Sequence, residues 1–357
     1  MSWYPRIATG ELHHYRRIPK VDLHRHLEGS LRPGTLLDIA AQHGIPLPAG
    51  DLNALVQMQP EDPLTFSNFL SKFQTLRQFY RSPEVISRVT QEAVEDAAVD
   101  GAAYLELRFT PVALGRLQGF SLARVMDWVI RSAADAGKRY RLPVRLIASV
   151  NRHEPVEIAE EVARLAAERM WSDDGCGIVG LDLAGNEAEF SALPFAGVFR
   201  EARESGLRIT VHAGEWGGAA NVREAVEVLG AERIGHGVRV LEDPRVVDLV
   251  RERGTTLEVC VTSNFQSGVV AALQDHPLPR LIEAGLKVTL NTDDPSISAI
   301  TLSDEYHLAL SNFRLPPPVL IECILTAARS SFLPEPEIHA LEQFLHKRLA
   351  ESFHIAR

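Results

Sequence analysis

Cysteine is scarce in this chain and is nowhere clustered. The three cysteines, Cys176, Cys260 and Cys323, are far apart, and no Cys-x-x-Cys occurs. A cysteine-ligated zinc ribbon is therefore excluded, and an odd, sparse set suits a reducing compartment better than a disulfide framework. No apolar run approaches the ~20 residues of a membrane-spanning helix. The opening stretch MSWYPRIATGELHHYRR has no apolar segment of the kind a secretory leader needs. No stripe of Lys and Arg stands out, so a nucleic-acid backbone is not an expected partner. Internal repeats, low-complexity tracts and flexible linkers are also missing. The charge is lopsided instead: 37 Lys and Arg against 47 Asp and Glu give −10 at pH 7. That balance fits a soluble cytoplasmic protein whose ligand is small.

What the chain does have is alternation. Short β-branched or apolar runs fall at 21–26, 104–109, 144–150, 178–184, 208–213, 233–236, 256–261 and 287–292. Between most of them lie stretches of helical length and periodicity, at 120–138, 155–169, 194–205, 219–229, 243–253 and 276–284. Eight strands alternating with helices predict a parallel (β/α)8 TIM barrel, and a barrel of this kind accommodates all 357 residues as one domain. The gap between the first two strands is too long for one helix. It predicts a helical insertion at about 33–100, with helices near 33–43, 65–80 and 83–100 and irregular sequence in between. Further helices are expected after the eighth strand, over 301–357. The Pro-rich patches at 46–48, 316–318 and 334–336 read as turns between helices.

Polar residues gather where a barrel puts its active site, at the C-terminal ends of the strands. They are His24 and His26 on the first, Gly185, Asn186 and Glu187 past the fourth, and His212 and Glu215 at the fifth. His236 follows on the sixth, Thr262, Ser263 and Asn264 on the seventh, and Asp293 and Asp294 on the eighth. One residue separates His24 from His26, so a strand turns both imidazoles to one face and Arg25 to the other. With His212 and Asp293 they supply three imidazoles and a carboxylate, enough for one divalent metal and a water. Nitrogen and oxygen donors without thiolate suit zinc, and Fe2+ or Co2+ also fit.

A metal lowers the pKa of its water toward ~7. Glu215, three residues after His212 in VHAGE, then sits beside the metal as an acid whose pKa a dry cleft would raise. His236 could orient the hydroxide and take its proton. Asp293 and Asp294 would point to different sides of a strand end, one to metal and one to ligand. Each element also has a plainer reading. His212 could be a structural histidine, Asp293-Asp294-Pro295 a helix cap, and Glu215 a favourable charge at a helix N-terminus. Together these plainer readings are hard to sustain. Phe66, Phe69, Leu70 and Phe73 form one apolar stripe at helical spacing, either packing on the barrel or serving as a lid over a flat heterocycle.

At these residues the chain resembles the adenosine deaminase family of metal-dependent hydrolases. The matching pieces are VDLHRHLEGSLRP, EDPLTFSNFLSKF, YLELRFTP, GLDLAGNE, ITVHAGE, AERIGHGV, CVTSN and LNTDDP, in order from residue 21 to about 313. The resemblance implies a (β/α)8 barrel with one zinc that hydrolyses the 6-amino group of a purine nucleoside to ammonia. It implies His24, His26, His212 and Asp293 as ligands. Glu215 would protonate purine N1, and His236 would orient the attacking hydroxide. Asp294 would hold N7 and the Gly185 amide N3, with His26 and Asp293 also facing the reaction.

Binuclear relatives carry a modified lysine at the end of strand four. Here that strand ends in Leu183-Ala184-Gly185, so one metal is expected. Glu28 stands where many members have Asp, at the ribose 5′-hydroxyl, and relatives acting on adenine or modified adenosines share the Glu. The Val261–Asn264 stretch is closer to the bacterial adenosine-acting members. The resulting expectation is deamination of adenosine and 2′-deoxyadenosine to inosine in purine salvage. The alternatives are adenine or another 6-aminopurine nucleoside as substrate, or a catalytically dead nucleoside-binding protein. Nothing in the chain points to an oligomeric state.

Overall fold

Eight short parallel strands curl into a barrel in the computed structural model, which describes residue 7 and residues 9–47, 51–170 and 175–353. They are β1 (Lys20–His26), β2 (Ala102–Phe109), β3 (Val144–Asn151), β4 (Ile178–Ala184), β5 (Arg208–Ala213), β6 (Arg233–His236), β7 (Thr256–Val259) and β8 (Lys287–Leu290). Neighbours in the chain are neighbours in the sheet, from β1 through β8. Parallel strands need crossovers, and helices such as Leu122–Tyr140, Val156–Ala167 and Pro244–Arg253 supply them. These helices start where the sequence provides a stop. Ser82 accepts the Val85 amide at 3.3 Å, and Pro83 presets the first helical φ of Pro83–Val99. Among the described residues no helix is long and apolar enough to cross a membrane.

The seam between β8 and β1 is closed differently from the other seven. Among the described residues its one bridge pairs Arg25 with Asp293. There the Asp293 amide donates to the His24 carbonyl and the His26 amide to the Asp293 carbonyl, both at 2.8 Å. Side chains complete the seam. The Leu23 amide donates to Asn291 Oδ1 at 3.0 Å, and Thr292 Oγ1 donates to Asp22 Oδ2 at 2.7 Å.

The barrel interior holds charge as well as hydrocarbon. Glu106, Arg108, Asp182, Arg233 and Glu258 are at most 1% exposed. Arg233 pairs with Glu106 at 2.5 Å and Glu258 at 2.6 Å, and Arg108 with Glu258 at 2.8 Å. Buried charges persist only when paired, and breaking such a pair costs about 3–5 kcal/mol.

Several expectations need correction. β7 and β8 each stop two residues before the expected ends at 261 and 292. The chain turns into a short helix, Val261–Gln266, so Thr262, Ser263 and Asn264 lie on a helix and not on a strand. Asp293 and Asp294 are likewise beyond the strand. Asp293 has φ +60°, and Asp294 precedes the short helix Pro295–Ser298. The expected irregular stretch contains a helix, Leu52–Val56, capped by Asp51. Two Pro-rich patches open helices: Pro317 begins Pro317–Arg329, and Pro336 lies in the first turn of Glu335–Ser352, where no N–H is needed. Pro48, in the first patch, lies outside the described residues.

Candidate active site at the strand C-termini

The strand ends deliver their imidazoles to one point. His26 Nε2 lies 3.2 Å from His212 Nε2 and 3.4 Å from Asp293 Oδ1, and His24 Nε2 lies 3.3 Å from that same oxygen. Four donors around a zinc with bonds of ~2.0–2.1 Å would be spaced roughly 3.3–3.4 Å apart, and these three separations fall close to that spacing. His24 Nε2 is buried without a hydrogen-bond partner, which a buried nitrogen tolerates when it serves a cation. A further imidazole is near: one donor atom each from His24, His212, His236 and Asp293 lies within 4.8 Å of the others. His236 Nε2 is 3.9 Å from Asp293, on the other carboxylate oxygen, and 3.4 Å from Glu215 Oε2. His26 thus approaches Asp293 more closely than His236 does, and His236 also faces Glu215.

Three of the four imidazoles have a polar group at the far ring nitrogen. His24 Nδ1 meets Glu258 Oε2 at 2.8 Å, and His212 Nδ1 meets Asp182 Oδ1 at 2.9 Å. A carboxylate behind Nδ1 keeps the proton there and turns the Nε2 lone pair inward. Against the desolvation that would raise it, His212 and Arg108 hold the Asp182 carboxyl well below the usual range. Asn264 Nδ2 lies 3.1 Å from His236 Nδ1, and Ser263 Oγ donates to Asp293 Oδ2 at 2.7 Å. His236 (φ +65°) and Asp293 (φ +60°) both hold a backbone conformation that side chains rarely adopt. Such strain persists only where the surroundings over-determine it.

The polar residues around this point titrate in directions that suit proton transfer. Burial, with Asp293 and Glu187 adding like charge, pushes the Glu215 carboxyl well above the carboxylate range. Burial holds His236 well below the usual imidazole value, so it is neutral. Burial and then Asp293, Glu28 and Glu215 push Asp294 up, which makes it a donor. Gly29 admits Asp294, whose Oδ1 lies 1.9 Å from where any Cβ at that position would sit.

A cleft opens above the cluster. His26, Glu28, Gly185, His212, Glu215, His236, Asp293 and Asp294 all line it, as do the four residues of the apolar stripe. The helix Phe66–Leu76 carries Phe66, Phe69, Leu70 and Phe73 over the cleft, with Thr65 capping it. Phe69 is 5% exposed and belongs to the apolar core as well, whereas Leu70 is 38% exposed. Glu28 lines the cleft and is buried. It accepts the Thr110 amide at 2.5 Å through Oε1, while Oε2 has no partner. Burial raises its pKa to about 7.

Sequence reasoning gave no role to Asp182, Glu258, Trp216 or Glu187. A signal was present for the first two. A single carboxylate inside an apolar parallel strand, as in GLDLA and TLEVC, must be paired in the interior. Trp216 lines the cleft and faces Phe66 with ring centroids 4.4 Å apart.

The sequence model of the adenosine deaminase family matches residues 19–348. An adenosine deaminase of Erwinia tasmaniensis is 40% identical over 297 residues, covering 82% of this chain and 87% of its own. One from Klebsiella pneumoniae is 37% identical, covering 92% of this chain and 98% of its own. Among solved structures, the adenine deaminase from Arthrobacter aurescens superposes with a TM-score of 0.84 at 28% identity, covering 92% of this chain and 98% of its own.

Proposed function

The chain belongs to the adenosine deaminase family, and from that premise we propose that it hydrolyses adenosine and 2′-deoxyadenosine to the 6-oxo nucleosides and ammonia, with one zinc per chain. The observation that carries this reading is the convergence of three imidazoles and a carboxylate at close to tetrahedral spacing beside a neutral acid, beneath an apolar lid.

His24, His26, His212 and Asp293 would hold the metal. The chemistry a bound ion supplies there is acidification of water, whose pKa falls toward ~7. Zinc suits the nitrogen and oxygen donors, as would Fe2+ or Co2+. Glu215, kept protonated by its surroundings, donates to purine N1, which makes C6 electrophilic. His236, neutral and with its Nδ1 facing the Asn264 amide, turns Nε2 toward Glu215 and orients the attacking water. A C–O bond forms at C6 as the water returns one proton to Glu215; its second proton passes to the 6-amino group, the C–N bond breaks, and ammonia leaves. Asp294 donates to N7, and the Gly185 amide contacts N3. Glu28 meets the ribose 5′-hydroxyl, and the segment 33–100 acts as a lid whose apolar stripe excludes water. The cellular setting this suits is cytoplasmic purine salvage.

Free adenine is a second reading, and one observation favours it. The superposing structure from Arthrobacter aurescens is an adenine deaminase. Ammonia release from a substrate panel decides between them. The expected order of kcat/KM is adenosine and 2′-deoxyadenosine, then adenine, then AMP, whose phosphate meets the acidic cleft floor. Glu28→Ala should lower kcat/KM for adenosine by about one to two decades, the size of a charge-assisted hydrogen bond, and leave adenine activity unchanged. A wild type that prefers adenine overturns the adenosine assignment.

A further inference from the structure

Glu187 follows β4 and is 5% exposed, yet it takes no part in the imidazole cluster. Its carboxylate accepts three consecutive backbone amides: Gly214 at 2.9 Å on Oε2, and Glu215 at 2.6 Å and Trp216 at 2.7 Å on Oε1. These three residues form the loop that leaves β5, beyond its last ladder pair, Ala213 with His236. Successive N–H groups wrapped around an anion make a nest. Gly214 allows the wrap with φ +68°, and a Cβ there would meet Val222 at 2.5 Å.

The carbonyl side of the same loop is held by Arg239. Its amide donates to the Gly214 carbonyl at 2.9 Å and its Nη1 to the Trp216 carbonyl at 2.7 Å. Glu187 is itself anchored, because Asn221 Nδ2 donates to its carbonyl at 3.0 Å. The sheet places His212, but it does not place Glu215. Three residues past the strand, the backbone of Glu215 is set by a carboxylate from the neighbouring strand's loop and a guanidinium from the next.

We propose that Glu187 is a positioning residue for the deamination, fixing the backbone that carries the Glu215 carboxyl into the cleft. This rests on the reading of Glu215 as the acid. Glu187→Gln keeps the shape and one acceptor oxygen, but its amide cannot accept from the Gly214 N–H. The lost bond is charge-assisted, so kcat should fall by about one to two decades, with KM little changed.

The test is a double-mutant cycle of Glu187→Gln and Glu215→Gln, with metal content measured on all four proteins. Residues that act as one unit are non-additive. Glu187→Gln is expected to lower kcat in the wild type, to cost nothing further in the Glu215→Gln background, and to leave metal content at the wild-type level. Full additivity, loss of metal, or a normal kcat for Glu187→Gln overturns the proposal. Near-wild-type kcat for Glu215→Gln alone instead overturns the acid reading, and the role of Glu187 with it. Should Glu187→Gln not fold, Glu187→Asp keeps the charge one methylene short and enters the same cycle. Its loss of kcat must likewise vanish in the Glu215→Gln background, and a loss that persists there overturns the proposal.

Discussion

The floor of the cleft and its lid are built in opposite ways. On the floor, His24, His212 and His236 each have a polar group behind the ring, and Glu258, Asp182 and Asn264 supply it. Behind these stands a second layer, in which Arg108 and Arg233 pair with Glu258. The lid meets the same cleft with four apolar side chains on one helix, and of that helix only Phe69, Lys72 and Leu76 are buried. Directional bonds in a dry interior fix atoms to fractions of an ångström. Apolar cover is non-directional and tolerates displacement. The comparison teaches that the chemistry sits on the rigid side and substrate cover on the side that can give way.

Two substitutions sharpen that contrast, one on each side. The larger effect is expected on the floor. Asp182→Asn leaves the size of the side chain but removes the charge that holds the His212 proton on Nδ1. Metal affinity, measured by chelator competition, should fall about 10–100-fold, the usual cost of losing such a partner. Unchanged affinity would mean that the ring is held by packing alone. The smaller effect is expected at the lid. Phe69→Ala should raise KM by roughly tenfold, in line with the apolar area that one ring covers, with less effect on thermal stability. If Phe69 serves core packing instead, stability falls by about 3–5 kcal/mol while KM stays near normal in what still folds.

Much of the floor could be read from the sequence because a parallel barrel writes it plainly. Each strand is an apolar run, and the reactive side chains follow at the same end of each. That is why all eight strands, the pair His24 and His26, and the strand-end residues His212, Glu215 and His236 could be located without coordinates. The left-handed backbone of His236 and Asp293 left no mark, since neither is glycine. The early ends of β7 and β8 were hidden because Val261, Thr262 and Thr292 suit a strand as well as a turn. The buried ionic layer was legible in principle, as charges inside apolar runs, but which partner each would find depends on barrel closure. Glu187 was visible as a strand-end carboxylate, whereas its three amide partners, 27 to 29 residues later, were not.

The central claim is that four side chains from three places in the chain make one metal site. The most direct test is the metal content of the purified protein and of His212→Ala. The account predicts about one divalent ion per chain in the wild type, since four ligands and a water complete a single catalytic site, and loss of most of it in the variant. Two tightly bound ions in the wild type, or full occupancy in His212→Ala, would contradict it.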